Sequence, residues 1–565
     1  MLKKNWQIAL ALTPEADRSL QAYPPVLRQI LYNRGYATPE AAATFLEART
    51  PPGARTSTIL GISEAVERIR FAIQHGEPIA VYGDYDADGV TATALLGQTL
   101  RAMGGQVLDY IPNRFDEGYG LNLEALKTLR GMDIRLVITV DCGIRSLLEA
   151  DYSHQLGMDL IITDHHHPGP ELPIIKAIIN PKQPADTYPE KDLAGVGLAY
   201  KLAAALTTSM GNYPLSIERQ LDLVTLGTVA DLAPLVGENR ALVRAGLEQI
   251  RNPSRQGLMA LIGVSRLTPG RITAGDIGFV LGPRLNAAGR LDSALAALNL
   301  LTTSDVYEAA QLAQQLENQN RDRQQITRTI QVHAEQLALA ENPDALLLFA
   351  AHPDYNPGVV GLAASRLAEQ YYRPAIVAQV GEEFTRGSCR SIPEFHITQA
   401  LDQCADLLEH HGGHAAAAGF TIRNDLLPEL VGRLQAIAQQ HLANLDLRPR
   451  LYADLELPLS QLTPDLLVYL DWLQPTGYGN RPAYFVSRDL RVTNSRIIGK
   501  DNAHLKLVVS DGRITYDAIA FRQAHWIDRL PAHIDLLYSF ELNEYNGRKQ
   551  LQLNVRDLKP AGTID

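Results

Sequence analysis

From about residue 56 the chain alternates short, continuous apolar runs with longer stretches of helical periodicity. EPIAVYG (77–83), RLVITV (135–140) and MDLIIT (158–163) are such runs, and each is too apolar to leave one face in water. VTATALLGQTLRAMGG (90–105) predicts a helix stopped by Gly104-Gly105. Buried strands separated by helices predict a parallel sheet covered on both faces. Each run ends in polar chemistry: Asp84-Tyr85-Asp86-Ala87-Asp88-Gly89, Asp141-Cys142-Gly143 and Asp164-His165-His166-His167. The carboxyl edge of an open α/β sheet is where ligands bind.

Other segments have other rhythms. Residues 24–47 predict two short helices, the second capped by Thr38 with Pro39 at its first position and Glu40 and Glu47 along it. This is a helical cap over residues 1–55. Residues 186–300 are mostly helical. Residues 304–340 contain no Gly or Pro and predict one long helix between two domains. A second α/β domain, 346–445, has strand candidates at 345–350 and 374–380 and a helix over 358–372. Past about 446, short strands (HLKLVVS, YDAIAF, HIDLLYSFEL, KQLQLNVRDL) separated by DG and NG turns predict a small β-barrel. The expected class is therefore α/β, with two α/β domains (56–303 and 346–445) joined by a connecting helix (304–345) and followed by a barrel (446–565).

Composition narrows the class. The 565 residues are 46% hydrophobic and 20% charged, which excludes a fibrous or disordered chain. The 63 acidic against 52 basic residues give a net charge of −11, which argues against indiscriminate DNA coating but leaves local phosphate contacts open. Three scattered cysteines (Cys142, Cys389, Cys404) exclude a disulfide framework and a thiolate zinc finger, and fit a reducing cytoplasm. No apolar stretch reaches the roughly 18 residues of a membrane span. The N-terminus lacks a clear small-residue cleavage site, so no signal peptide is expected. The expected location is cytoplasmic, without membrane contact.

Three carboxylates within Asp84–Asp88 repel one another unless solvated or neutralised by cations. A solvated acidic turn and a lone calcium loop are the plain alternatives; the distal Glu and flanking helices of an EF-hand are missing. With Asp141 and the imidazoles at the same edge, the set suits Mn²⁺ or Mg²⁺. It has more ligands than one ion needs, and two bridged ions would use them all. Asp231, in the apolar stretch LGTVADLAPL (226–235), is a fifth candidate or a helix cap. Cys142 has no His/Asn arrangement to activate it and is expected to be a small buried residue.

DYDADG, VDCG and DHH, in this order at strand ends, resemble the DHH phosphoesterase superfamily. NRFDEGYG (113–120), LAGVGLAYK (193–201), ADLAPL (230–235), RLNAAGRL (284–291), PGVVGLAASRLAEQYYRPAIV (357–377), GSCRSI (387–392) and HGGHAAAAGF (411–420) resemble its RecJ family of bacterial single-strand exonucleases. The resemblance covers nearly the whole chain. It implies a DHH domain, a DHH-associated domain and an OB-fold barrel. It implies a two-metal phosphodiesterase that degrades single-stranded DNA from the 5′ end to 5′-mononucleotides, in repair and recombination. The cofactors would be Mn²⁺ or Mg²⁺, two ions.

The resemblance also implies roles. Asp86 and Asp88 each hold one metal, Asp141 bridges both, and His165 and Asp231 hold the second. Asp84 is a ligand or supports one. His166 touches the scissile phosphate or completes the site, which makes Asp141 and His166 the catalytic pair. His167 is an extra histidine, read as a solvated loop residue. Arg114, Arg290 and Arg390 engage phosphates, including the 5′ end, with Ser388, Asn286, Gly412, Gly413 and His414 assisting. Segment 481–500 has five basic residues (Arg481, Arg488, Arg491, Arg496, Lys500) against Asp489, and with Tyr484, Phe485 and Tyr545 it would track a strand on the barrel; the alternative is that Phe485 is core and the arginines are a solvated face. A channel between the α/β domains would exclude duplex. Partners implied are single-stranded DNA, single-strand-binding protein and a helicase, with the protein a monomer. Cys389, Ala415 and Arg481 depart from the family pattern, none of them in the metal set. The rivals are a small-substrate DHH hydrolase and a scaffold that has lost its metals; the latter should have lost the acids that are intact here.

Overall fold

The computed structural model describes residues 3–112, 120–211, 216–340, 342–545 and 548–563. The chain forms two compact units. The larger comprises 7–317 with 452–565, and the smaller 318–451 with the first six residues.

The larger unit is built on a five-stranded, all-parallel sheet. Its strands run in the order Val107–Tyr110, Ile79–Gly83, Leu136–Val140, Asp159–Thr163, Ala177–Ile179. The three central strands are the apolar runs expected, and nearly every residue in them is buried. The outer two were not foreseen. They are short or half-buried, so their apolar signal is weak. The helix over the acidic segment begins earlier than the pattern suggests, at Ala87, and runs to Ala102. Asp86 is its N-cap: its Oδ1 accepts from the backbone N–H of Asp88 at 2.9 Å and of Gly89 at 3.1 Å. Half of the acidic loop is thus the first turn of a helix.

Helices Gly195–Met210, Leu221–Ala230, Gly237–Arg251 and Gly282–Leu291 complete this layer. Leu221–Ala230 is buried all round as far as Val229. In the N-terminal cap, Pro25–Asn33 and Pro39–Leu46 form as expected, Thr38 accepting from Ala41 N–H at 3.3 Å. A third short helix, Pro14–Ser19, precedes them. The cap shares one apolar core with the barrel, from Leu27, Ile30 and Phe45 to Phe485, Leu536 and Leu553.

The barrel is closed by five strands. Phe485–Ile498 pairs along one end with His504–Ser510 and along the other with His533–Tyr545; Thr515–Ala520 and Arg548–Pro560 complete the ring. The basic segment read along 481–500 is therefore largely a strand. Phe485 is wholly buried in the core and offers no face to a base. Arg488 is engaged by Asp535 at 2.9 Å and Glu456 at 3.2 Å. Arg491, Arg496 and Lys500 remain on the exposed face.

The smaller unit is entered by one 35-residue helix, Val306–Ala340, on the Gly- and Pro-free stretch. Its mixed sheet runs Leu408–Gly413, Ala417–Arg423, Phe384–Arg390, Ala375–Val380, Leu348–His352, and only the last pair is parallel. GSCR lies on a strand and HGG at a strand end.

Candidate active site

The parallel register builds the site. Gly83 pairs with Val140, and Val140 with Thr163. The next residue of each strand is Asp84, Asp141 and Asp164, so three carboxylates leave three neighbouring strands at one level. Asp141 turns sharply there, at φ 65°, while its N–H donates to Thr163 O at 2.9 Å.

Helix termini bring in the other groups. Asp88 is wholly buried. Its Oδ2 accepts from Gly195 N–H at 2.6 Å and its Oδ1 from Val196 N–H at 2.8 Å, at the start of helix Gly195–Met210. A Cβ on Gly195 would stand 2.7 Å from Asp141 Cβ, so LAGVGLAYK needs glycine there for its backbone to approach the centre. Asp231 ends helix Leu221–Ala230, where the cap alternative placed it, and its Oδ2 also reaches within 3.6 Å of His165 Nε2.

Three groups of ligand atoms result, each within 4.8 Å of one another: Asp84/Asp86/Asp141, Asp88/His165/Asp231 and Asp141/His165/His166. Asp141 and His165 link them. Asp141 Oδ1 and His165 Nε2 face each other at 3.1 Å, both buried, and neither has a hydrogen-bond partner. Buried polar atoms left in this way fit a divalent cation placed between them. The electrostatics agree. Burial, then Asp86, pushes the Asp88 carboxyl up to about 7. Burial, then Asp88 and Asp86, pushes Asp231 up to about 8. Asp141 is driven well above the carboxylate range by burial and its four acidic neighbours. Such a cluster is stable in its charged form only with positive charge inside it. Burial holds the His165 imidazole down at about 3, neutral and ready to ligate.

Asp164 points elsewhere. It accepts from Ile144 N–H at 2.9 Å and pairs with His166 Nδ1 at 2.7 Å. Burial would lower His166, but that pairing outweighs it and, without cations, raises the imidazole to about 9. His167 is exposed, as expected. Cys142 is buried, and burial pushes its thiol well up, which suits a packing residue.

Asn286 Oδ1 accepts from Ala87 N–H at 2.6 Å, so this side chain braces the acidic turn. A Cβ on Gly289 would stand 2.5 Å from Tyr85 O, which brings the helix of the half-buried Arg290 against the same turn. Arg114 lies outside the described residues. Two supports escaped the sequence reading. Asn180 Nδ2 donates to His166 O at 2.9 Å and Lys182 Nζ to His165 O at 2.7 Å. Asn-Pro-Lys directly after an apolar run was their only signal.

The smaller unit gathers its own polar set. A Cβ on Gly361 would stand 2.8 Å from Ser388 Oγ and 3.1 Å from Arg390 Nη2, so the first turn of helix Val360–Tyr371 lies against both. Arg390 Nη1 donates to Ser388 Oγ at 3.2 Å. Gly412 and Gly413 end their strand. Gly413, at φ 146°, leaves no room for a Cβ against Ala417 O, and His414 N–H closes the hairpin on that carbonyl at 2.7 Å. The departure at Cys389 faces inward, wholly buried, and the departure at Arg481 is taken up by Asp454 at 3.4 Å.

Three family models match the chain: "DHH family, N-terminal domain" over 78–228, "DHHA1 domain" over 343–443 and "RecJ OB domain" over 453–557. The single-stranded-DNA-specific exonuclease RecJ of Bacillus subtilis (strain 168) is 38% identical over 537 residues, covering 94% of this chain and 68% of that protein. The protein of the same name from Dickeya dadantii (strain 3937) is 36% identical over 573 residues, covering 97% and 98%. The chain belongs to the RecJ family. The crystal structure of RecJ in complex with Mn²⁺ from Thermus thermophilus matches 99% of this chain and 80% of that one, with a TM-score of 0.85 at 30% identity. The RecJ complex with Mg²⁺ from the same organism matches with a TM-score of 0.79 at 29% identity, covering 99% and 79%. A further exonuclease RecJ structure, bound to manganese, matches 69% of this chain and 98% of that one at 36% identity, with a TM-score of 0.60. No helix among the described residues is long and apolar enough to cross a membrane.

Proposed function

We propose that this protein is a metal-dependent single-stranded-DNA exonuclease that works from the 5′ end and releases 5′-mononucleotides. The observation that carries the reading is the registered row of strand-end carboxylates, completed by Asp88, His165 and Asp231 into overlapping cation sites. Asp84, Asp86 and Asp141 would hold one divalent cation, and Asp88, His165 and Asp231 the second, with Asp141 shared. Mn²⁺ or Mg²⁺ bound there supplies electrophilic stabilisation of the charge that builds on a phosphodiester under attack. His166, oriented by Asp164, donates a hydrogen bond to the phosphate. Gly195 and Val196 fix Asp88, and Asn286 fixes the acidic turn, so the carboxylates need no rearrangement when substrate arrives.

Ser388 and Arg390, with the glycines of the 411–414 hairpin, receive a strand phosphate, and Arg290 and Arg114 serve others. The exposed Arg491, Arg496 and Lys500 attract the backbone to the barrel. Polarity from the 5′ end, a monomeric state, a cytoplasmic location, and single-strand-binding protein and a helicase as partners belong to the same proposal, on the strength of the resemblance to the family. An end-labelled assay tests the reading. With Mn²⁺, a 5′-labelled strand should release labelled mononucleotide at once, while a 3′-labelled strand shortens gradually; EDTA and Asp141→Ala should abolish both. Cleavage of dinucleotides with long strands left intact would refute it in favour of a small-substrate hydrolase.

A further inference from the structure

Large apolar side chains stand in solvent around one loop, Asp231–Leu235. Phe279 is 88% exposed, and Leu232 and Tyr478 are 63% exposed each. Backbone packing ties the Tyr478 turn to that loop and the Phe279 turn to the helix end just before it. Phe279 lies in the π-helical turn Ile277–Leu281. The glycines on either side of it pack onto the residues just before Asp231: a Cβ on Gly278 would stand 3.7 Å from Val229 Cγ1, and one on Gly282 would stand 3.0 Å from Ala230 Cβ. Leu232 follows Asp231 directly and holds φ at 60°, a conformation Leu rarely adopts. Tyr478 tips the tight turn Gly477–Asn480, whose glycines press on Pro234 and Leu235, and Tyr478 O accepts from Leu235 N–H at 2.8 Å.

The metal centre is partly open at Asp231 and His166. Asp88 and Asp141 are buried, whereas the Asp231 side chain is 24% exposed. The residues Leu-Ala-Pro-Leu that follow Asp231 carry no charge, so they offer apolar surface suited to the faces of nucleobases. Single exposed apolar residues are ordinary, but several held around a loop that begins at a metal-site carboxylate fit a binding surface. Stacking on aromatic side chains is tolerant of sequence, because every base has a π-face.

We propose that Phe279 and Tyr478, with Leu232, form a base-stacking rim that receives nucleobases of the single strand beside the metal centre. This rests on the nuclease reading above. Bases already stacked within a duplex cannot take these positions, so the rim selects for single strands as well as binding them.

The test compares wild type with Phe279→Ala, Tyr478→Ala, Phe279→Tyr and Tyr478→Phe. The substrates are 5′-phosphorylated strands carrying either natural bases or abasic residues over their first several positions. Each alanine variant should raise KM for the natural strand by about 5- to 150-fold, the worth of one stacked base. It should leave the abasic strand, the melting temperature and Mn²⁺ affinity by calorimetry unchanged, and the aromatic replacements should restore KM. Equal loss on both strands, or no preference of wild type for the natural strand, would overturn the rim. So would a change of sedimentation in Phe279→Ala, which would mean that a second copy covers the patch. A wild type inactive on every single strand would instead overturn the nuclease reading itself.

Discussion

Replacing Asp141 by Asn should make the protein more stable without metal and less stable with it. Ligand oxygens of Asp84, Asp86 and Asp141 lie within 4.8 Å of one another. Two unit negative charges at that separation repel by about 3.5 kcal/mol at an effective dielectric constant of about 20. Burial and the neighbouring acids drive the Asp141 carboxyl well above its ordinary range, so without cations a proton already relieves much of this repulsion. The amide then recovers only part, about 1–3 kcal/mol. At roughly 1 °C per kcal/mol for a unit this large, melting in EDTA should rise by about 1–3 °C. Saturating Mn²⁺ reverses the order. An ion at about 100 times its dissociation constant stabilises wild type by about 2.7 kcal/mol, and the variant loses the oxygen that both sites share. Differential scanning calorimetry of both proteins, in EDTA and in Mn²⁺, reads the crossing. Asp141→Asn melting below wild type in EDTA while keeping the whole Mn²⁺ shift would refute the assignment of Asp141 as a ligand.

Stability in EDTA should fall as pH rises from about 4 to about 9, because Asp88, Asp231 and His166 all hold protons more tightly folded than unfolded and lose that advantage between their unfolded and folded values; Mn²⁺ should flatten the profile, as melting curves across pH would read. Arg240→Ala should cost more than about 4 kcal/mol in urea unfolding, since this buried guanidinium donates to the carbonyls of Phe45, Trp472, Leu473, Gln474 and Pro475 and packs over the Phe45 ring. Gly195→Ala should weaken Mn²⁺ binding by about 10- to 100-fold in calorimetry, because its Cβ would displace Asp141. Iodoacetamide should leave activity intact, with Cys142, Cys389 and Cys404 all buried and their thiols pushed up by burial.

Much of the chain was legible because its signals are local. An apolar run bounded by acids specifies a buried strand and places a carboxylate at its end. Thr38-Pro39 caps and opens a helix, and 35 residues without Gly or Pro make one long helix. What misled was also local. Asp86 and Asp88 read as a loop because three acids in a row mask a helix start, and the first barrel strand read as a basic patch because its arginines hide the buried Phe485, Val486 and Leu490.

By itself the sequence determined which carboxylates and imidazoles end which strands, and hence the class of ion and reaction they suit. Only the tertiary structure decided which of these groups meet. The register that levels Asp84 with Asp141, the approach of Gly195 to Asp88, the reach of Asp231 to His165 and the brace from Asn286 to Ala87 join residues as many as 199 positions apart. The same holds for the turns of Phe279 and Tyr478, which pack against residues 229–230 and 234–235. Local periodicity and capping are written in neighbouring residues, whose short-range hydrogen bonds and side-chain spacing they express. Contacts at such separations depend on how whole helices and sheets bury their apolar faces together, and many packings are compatible with the same local pattern.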